Sequence, residues 1–132
     1  LYSFKTVHQL ISTVQGELKA NTNFSEIIEA TYPMGSMTGA PKKSAVKITS
    51  ALEKYPRGFY SGTIGYIEPN GNFESNVVIR TIEYNEGNRA SKVQVGGAIT
   101  IKSEPVEEWE ECNLKAKVLL ELLQNYGVKS QK

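Results

Sequence analysis

The sequence predicts an α+β fold: an antiparallel sheet with helices packed against it. Two observations lead there. First, three β-favouring runs, Phe59 to Ile67, Val77 to Tyr84 and Lys92 to Lys102, are joined by short turns, Pro69-Asn70-Gly71-Asn72 and Asn85-Glu86-Gly87-Asn88. Strands joined by such turns form a meander, and a meander is antiparallel. Second, helix-compatible runs flank the meander, Ser44 to Tyr55 before it and Pro105 to about Tyr126 after it. At 132 residues the chain is expected to be a single domain, 1–132.

The elements follow in order. Tyr2 to Leu18 has strand character, with Phe4, Thr6, Val7, Ile11, Thr13 and Val14 favouring β structure. Ala20 to Asn23 is turn-like, and Asn23 or Ser25 is placed to cap a short helix over Ser25 to Ala30. Tyr32-Pro33 ends that helix, because a residue before proline avoids the helical region. Met34 to Lys42 then forms a Gly/Thr/Pro loop, with Pro41 suited to the first position of the next helix. Ala45, Ile48, Ala51 and Leu52 share one face of that helix, and Pro56-Arg57-Gly58 stops it. Gly96 and Gly97 interrupt the third strand, as glycines do at a bulge or where a ligand comes close. Pro105 opens the last helix, Gly127 ends it, and Lys129 to Lys132 are expected to fray.

Composition excludes several function classes. Apolar residues make up 39% and charged residues 22%, as in ordinary globular chains. The net charge of +1 and scattered lysines give no nucleic-acid footprint. One cysteine, Cys112, and one histidine, His8, exclude a disulfide framework and a Cys- or His-rich metal site, and suit a reducing compartment. No apolar run approaches the roughly 18 residues of a membrane span, and no leader peptide is visible. Leu1 in place of an initiating Met suggests a piece of something longer.

Three places carry possible chemistry. The Met34–Lys42 loop runs into a helix start, where unpaired N–H groups and the helix dipole attract a phosphate or carboxylate. A well-capped helix without a ligand has the same sequence. Glu108, Glu111 and Lys115 lie three and four residues apart on one helix face, bordering an apolar face of Trp109, Cys112, Ala116, Leu119 and Leu123. Such carboxylates suit Mg²⁺, and equally suit a helix start with a solvated Glu111–Lys115 pair. Arg80, in an apolar strand, needs a partner or a carboxylate ligand unless it faces solvent. Tyr60 reads either as core filler or as a ligand contact.

Taken together, these pieces resemble the chorismate-utilising enzymes. The carrying motifs are Pro33-Met34-Gly35-Ser36-Met37-Thr38-Gly39-Ala40-Pro41-Lys42; Arg57-Gly58-x-Tyr60-x-Gly62-x-x-Gly65-Tyr66; Ile79-Arg80-Thr81; Gly96-Gly97-Ala98-Ile99; and Ser103-x-Pro105-x-x-Glu108-x-x-Glu111-x-x-x-Lys115. All five occur in the family's order and spacing. The Gly-Gly-Ala-Ile form resembles the aminodeoxychorismate (para-aminobenzoate) synthase component I branch more than anthranilate synthase component I.

The resemblance implies part of a two-sheet α/β sandwich, namely the C-terminal part of a chorismate-binding catalytic domain whose upstream half is absent. It implies amination of chorismate to 4-amino-4-deoxychorismate on the way to folate, with ammonia from a glutamine amidotransferase partner, in the cytoplasm. Alternatives are anthranilate, isochorismate or salicylate synthesis, or a non-catalytic anion-binding module on the same scaffold. It implies Mg²⁺ held by Glu111 and Glu108, with Glu108 and Lys115 acting in catalysis. Arg80 and Tyr60 would bind a substrate carboxylate, and Ser36, Gly96, Gly97 and Ala98 would line the pocket. The family histidine of the first strand is replaced by Gln9, with His8 one residue early and so on the opposite strand face. By itself the chain is expected to be inactive and, with uncovered apolar surface, to self-associate.

Overall fold

The computed structural model describes residues 1–5 and 8–126. The expected stop at Gly127 and fraying at Lys129 to Lys132 lie outside the described residues. The fold is α+β, with small antiparallel sheets and helices. Two compact units are present, Leu1–Tyr32 and Pro33–Lys132.

In the first unit, β1 (Tyr2–Ser3) pairs antiparallel with β2 (His8–Gln9), matching Tyr2 with Gln9 and Ser3 with His8. The long strand expected to Leu18 does not form: from Leu10 to Lys19 the chain has no regular structure. β-Propensity alone does not make a strand, and no further ladder forms here to hold one. The His8 ring lies 3.1 Å from the Ser3 hydroxyl. α1 (Phe24–Thr31) begins as its sequence dictates. The Asn23 side chain accepts from the Glu26 N–H, and the Glu26 carboxylate accepts from the Asn23 N–H, a reciprocal capping box. Asn23→Ala is expected to destabilise α1 by about 1 kcal/mol, read as a lower denaturation midpoint of this unit.

The second unit starts with α2 (Gly35–Thr38) packed on α3 (Lys42–Leu52). α3 starts two residues before the expected Ser44 and ends three before Tyr55, where Glu53 turns extended while its N–H still bonds Thr49. Pro41 is the N-cap of α3 rather than its first residue, with extended backbone and a cis peptide bond from Ala40.

The expected three-stranded meander is instead two hairpins. β3 (Thr63–Ile67) pairs with β4 (Phe73–Val77), and β5 (Ile82–Asn85) pairs with β6 (Ala90–Val93). The predicted strand from Val77 to Tyr84 breaks because Val78 is drawn elsewhere. Its N–H donates to Gly62 and its carbonyl accepts from Ser61, both at 3.0 Å. A tight turn follows, with the Ile79 N–H on the Val77 carbonyl, and Arg80 takes φ +51°. Val78 is the one buried apolar side chain among the described residues. The predicted third strand stops at Val93, because residues 94–100 find no ladder partner. α4 (Pro105–Asn125) packs against β6. On its expected apolar face Cys112, Ala116, Leu119 and Leu123 are half-buried, whereas Trp109 is 67% exposed. No helix among the described residues is long and apolar enough to cross a membrane.

Candidate functional site

The start of α4 and the stretch before it form a connected polar group in the second unit. Thr100 and Ser103 close a turn in which the Ser103 N–H donates to the Thr100 carbonyl at 3.1 Å. The Ser103 hydroxyl accepts from the Thr100 N–H at 2.9 Å and donates to Glu108 Oε1 at 2.5 Å. The second carboxylate oxygen, Glu108 Oε2, is buried and has no hydrogen-bond partner. A carboxylate oxygen withdrawn from water without a partner is costly, so this atom is the strongest local pointer to a bound group. Gly97 lies directly over it: a Cβ at position 97 would stand 3.0 Å from Oε2 and 3.9 Å from Cys112 Sγ.

Glu111 and Lys115, one and two turns further along, form an ion pair, and Lys115 Nζ also donates to the Gly96 carbonyl at 3.1 Å. This lysine thus fastens the glycine stretch to the helix. Tyr60 closes the other side of Gly96, where a Cβ would meet its hydroxyl at 2.8 Å. Partial burial raises the Tyr60 pKa, against the lowering effect of nearby Arg57 and Lys115, so the phenol remains a neutral O–H donor at physiological pH. The Gly96, Gly97 and Ala98 N–H groups make no hydrogen bond among the described residues.

Tyr60 is set in place by Arg57. Its guanidinium forks onto Glu53, with Nε 2.8 Å from Oε2 and Nη2 2.5 Å from Oε1. Nη1 reaches the Met37 carbonyl at 2.8 Å and the Ser61 hydroxyl at 3.3 Å. One side chain therefore ties α2 to the turn that carries Tyr60. The hydrogen bonds from Arg57 hold the Glu53 carboxyl below its usual range despite partial burial. Sequence reasoning missed this role, although Glu53 and Arg57 stand at the four-residue spacing of a helical ion pair. It also missed Ser103, whose position in the last motif was the available signal.

The structure therefore brings Tyr60, Gly96, Gly97, Glu108, Glu111 and Lys115 together. Ser36 is exposed on α2, Ala98 is exposed beyond Gly97, and Arg80 is exposed on the turn between β4 and β5. No hydrogen bond or ion pair joins these three to the carboxylates, and the Arg80 guanidinium has no ion-pair partner among the described residues. Arg80 is thus not inside a strand as expected, and its outward position leaves it available to an anionic ligand.

Among the described residues no group of three or more His, Cys, Asp and Glu side chains gathers as a metal cage. The pair Glu108 and Glu111 nevertheless fits Mg²⁺, which takes one or two carboxylates and completes its shell with water and substrate oxygens. The buried, unpartnered Oε2 of Glu108 is the observation that makes the fit.

Residues 1–121 match the family described as chorismate binding enzyme. Aminodeoxychorismate synthase of Streptomyces pristinaespiralis is 44% identical over 121 residues, which are 92% of this chain and 17% of that protein. The chloroplastic aminodeoxychorismate synthase of Arabidopsis thaliana is 44% identical over 115 residues, 87% of this chain and 12% of that protein. Anthranilate synthase component 1 of Aquifex aeolicus is 38% identical over 121 residues, 92% of this chain and 24% of that protein. The chain thus spans a quarter or less of each of these relatives. With the match running from Leu1 through most of α4, and with the glycine stretch seated over Glu108, the chain belongs to the chorismate binding enzyme family.

Proposed function

We propose that this chain is part of an aminodeoxychorismate synthase component I, which converts chorismate and ammonia to 4-amino-4-deoxychorismate for para-aminobenzoate and folate synthesis. The buried, unpartnered oxygen of Glu108 beneath Gly97 is the observation that carries the reading. The two aminodeoxychorismate synthases at 44% identity support the choice of reaction. Glu108 and Glu111 would hold Mg²⁺, which when bound supplies charge neutralisation and polarises the C4 hydroxyl as a leaving group. The remaining work falls to this chain's own groups. Arg80 forks onto a chorismate carboxylate, and the Tyr60 phenol donates to the same anion. The N–H groups of Gly96 to Ala98 approach the substrate, at Gly96 and Gly97 without a Cβ in the way. Ser36, exposed on α2, is assigned to the substrate-binding side chains, and Lys115 holds Glu111 and the Gly96 carbonyl in register. Ammonia comes from a glutamine amidotransferase partner. The single thiol suits the cytoplasm or an equally reducing compartment. The 132 residues alone are catalytically silent and self-associate through exposed apolar side chains such as Ile64, Trp109 and Leu114.

The Aquifex aeolicus likeness favours a second reading, anthranilate synthesis, in which pyruvate leaves as well. Product analysis of the full-length synthase of which this chain is proposed to be part, with chorismate, ammonia and Mg²⁺, separates the two. 4-Amino-4-deoxychorismate without pyruvate is the expected result, and anthranilate with stoichiometric pyruvate overturns it. In the same protein Arg80→Ala is expected to weaken chorismate binding by at least tenfold in calorimetry, the loss of a charge-assisted fork.

A further inference from the structure

Glu108 is not oriented by its own helix. Its Oε1 is held by Ser103, five residues upstream and outside α4. The direction of that bond is fixed by its acceptor. A serine hydroxyl has one proton to give. A carboxylate only accepts, and Glu108 Oε1 at 2.5 Å is far closer than the Thr100 hydroxyl at 3.4 Å, so the hydroxyl proton is directed at Glu108 while the Thr100 N–H at 2.9 Å fills a lone pair of Ser103 Oγ. Thr100 is itself fixed, since its carbonyl accepts the Ser103 N–H and its hydroxyl accepts the Lys102 N–H at 3.3 Å. The backbone of the 100–103 turn therefore sets the rotamer of a carboxylate on the next element. The result is a division of labour between the two oxygens of Glu108: Oε1 is satisfied within the chain, and Oε2 is left buried, unpaired and roofed by Gly97.

We propose that Ser103 is a positioning residue that presents Glu108 Oε2 as the single open ligand position of this carboxylate for a divalent cation. The inference rests on the reading of Glu108 as a metal ligand given above. Groups that hydrogen-bond a metal ligand typically govern affinity by ten- to a hundredfold. Without the Ser103 proton, Oε1 also loses its partner, and the carboxylate is free to rotate toward solvent.

The test is Mg²⁺ binding to the full-length synthase that contains this chain by titration calorimetry, with and without chorismate, and needs no turnover. Ser103→Ala is expected to raise the Mg²⁺ Kd by about ten- to a hundredfold. Ser103→Thr keeps the hydroxyl and is expected to restore affinity to within a few-fold. Ser103→Cys, close in shape but a weak donor, is expected to behave like Ser103→Ala, and serves should the alanine variant fail to fold. Unchanged affinity in a folded Ser103→Ala or Ser103→Cys variant, in a protein where Glu108→Gln abolishes binding, overturns the positioning role and leaves the metal assignment standing. Unchanged affinity in Glu108→Gln overturns both.

Discussion

Glu108→Gln is expected to lower kcat/KM for chorismate in the full-length synthase that contains this chain by about a thousandfold, through kcat more than KM. Glutamine is the informative replacement. Its carbonyl oxygen still accepts from Ser103, so the contact at Oε1 survives. What changes is the second position, where an amide NH₂ replaces the buried, unpartnered Oε2. That group donates instead of accepting and carries no charge, so it cannot serve a cation. Glu111→Gln is the comparison. Glu111 is exposed, and its carboxylate is already shared with Lys115, so its loss is expected to cost no more than about a hundredfold. Steady-state kinetics across a range of Mg²⁺ concentrations gives both values. Equal losses at the two positions, or a Glu108→Gln enzyme that keeps its turnover, would remove the unequal roles assigned here.

Gly65→Ala is expected to destabilise the β3–β4 hairpin by about 3 kcal/mol, at the upper end of overpacking effects. Gly65 pairs with Ser75 across the hairpin. A Cβ built on Gly65 would stand 2.1 Å from the Glu74 carbonyl oxygen and 2.8 Å from Ser75 Cα. These are backbone atoms, so no rotamer change relieves the clash, and the strands must part. The damage should spread, because the residue after β4, Val78, bonds to Ser61 and Gly62 beside Tyr60. Denaturant midpoints and amide exchange across Thr63–Ile67 check the effect. Gly35→Ala is the control, since a Cβ at Gly35 meets nothing within 4 Å. A midpoint for Gly65→Ala equal to that control would show that the hairpin opens more easily than its close pairing implies.

Those features that local chemistry decides could be read from the sequence. α4 runs from Pro105 to Asn125, within a residue of its expected end, because proline at the start and a sustained helical period leave little choice. Asn23 caps α1, and the two turns fall at the Asn/Gly clusters. Features that depend on a distant partner were not legible. The break at Val78 needs Ser61 and Gly62, sixteen or more residues earlier, so an apolar run from Val77 to Tyr84 looked continuous. The run from Lys92 to Lys102 had strand composition but no neighbour beyond Val93. At the site, Tyr60, Gly96, Gly97, Glu108 and Lys115 do come together, and the first and last of these lie far apart in the chain. Motif spacing suggested that gathering, whereas periodicity alone left the glutamates as ordinary helix-start acids. The Glu53–Arg57 spacing and the place of Ser103 in its motif could be read, but the reach of Arg57 to Met37 and Ser61 and of Ser103 to Glu108 depends on tertiary placement that spacing does not carry.

Chain entropy sets one consequence of how the site is wired. Lys115 and Gly96 are 19 positions apart, and Ser103 and Glu108 only five, so the carboxylate side closes within one short stretch. Closing a flexible loop becomes costlier only slowly with length, by about 0.6 kcal/mol for each doubling. The Arg57 fork onto Met37, 20 positions back, is an independent closure that shares no residue with the first. The two halves of the site can therefore assemble in either order, and Tyr60 against Gly96 is the seam where they meet.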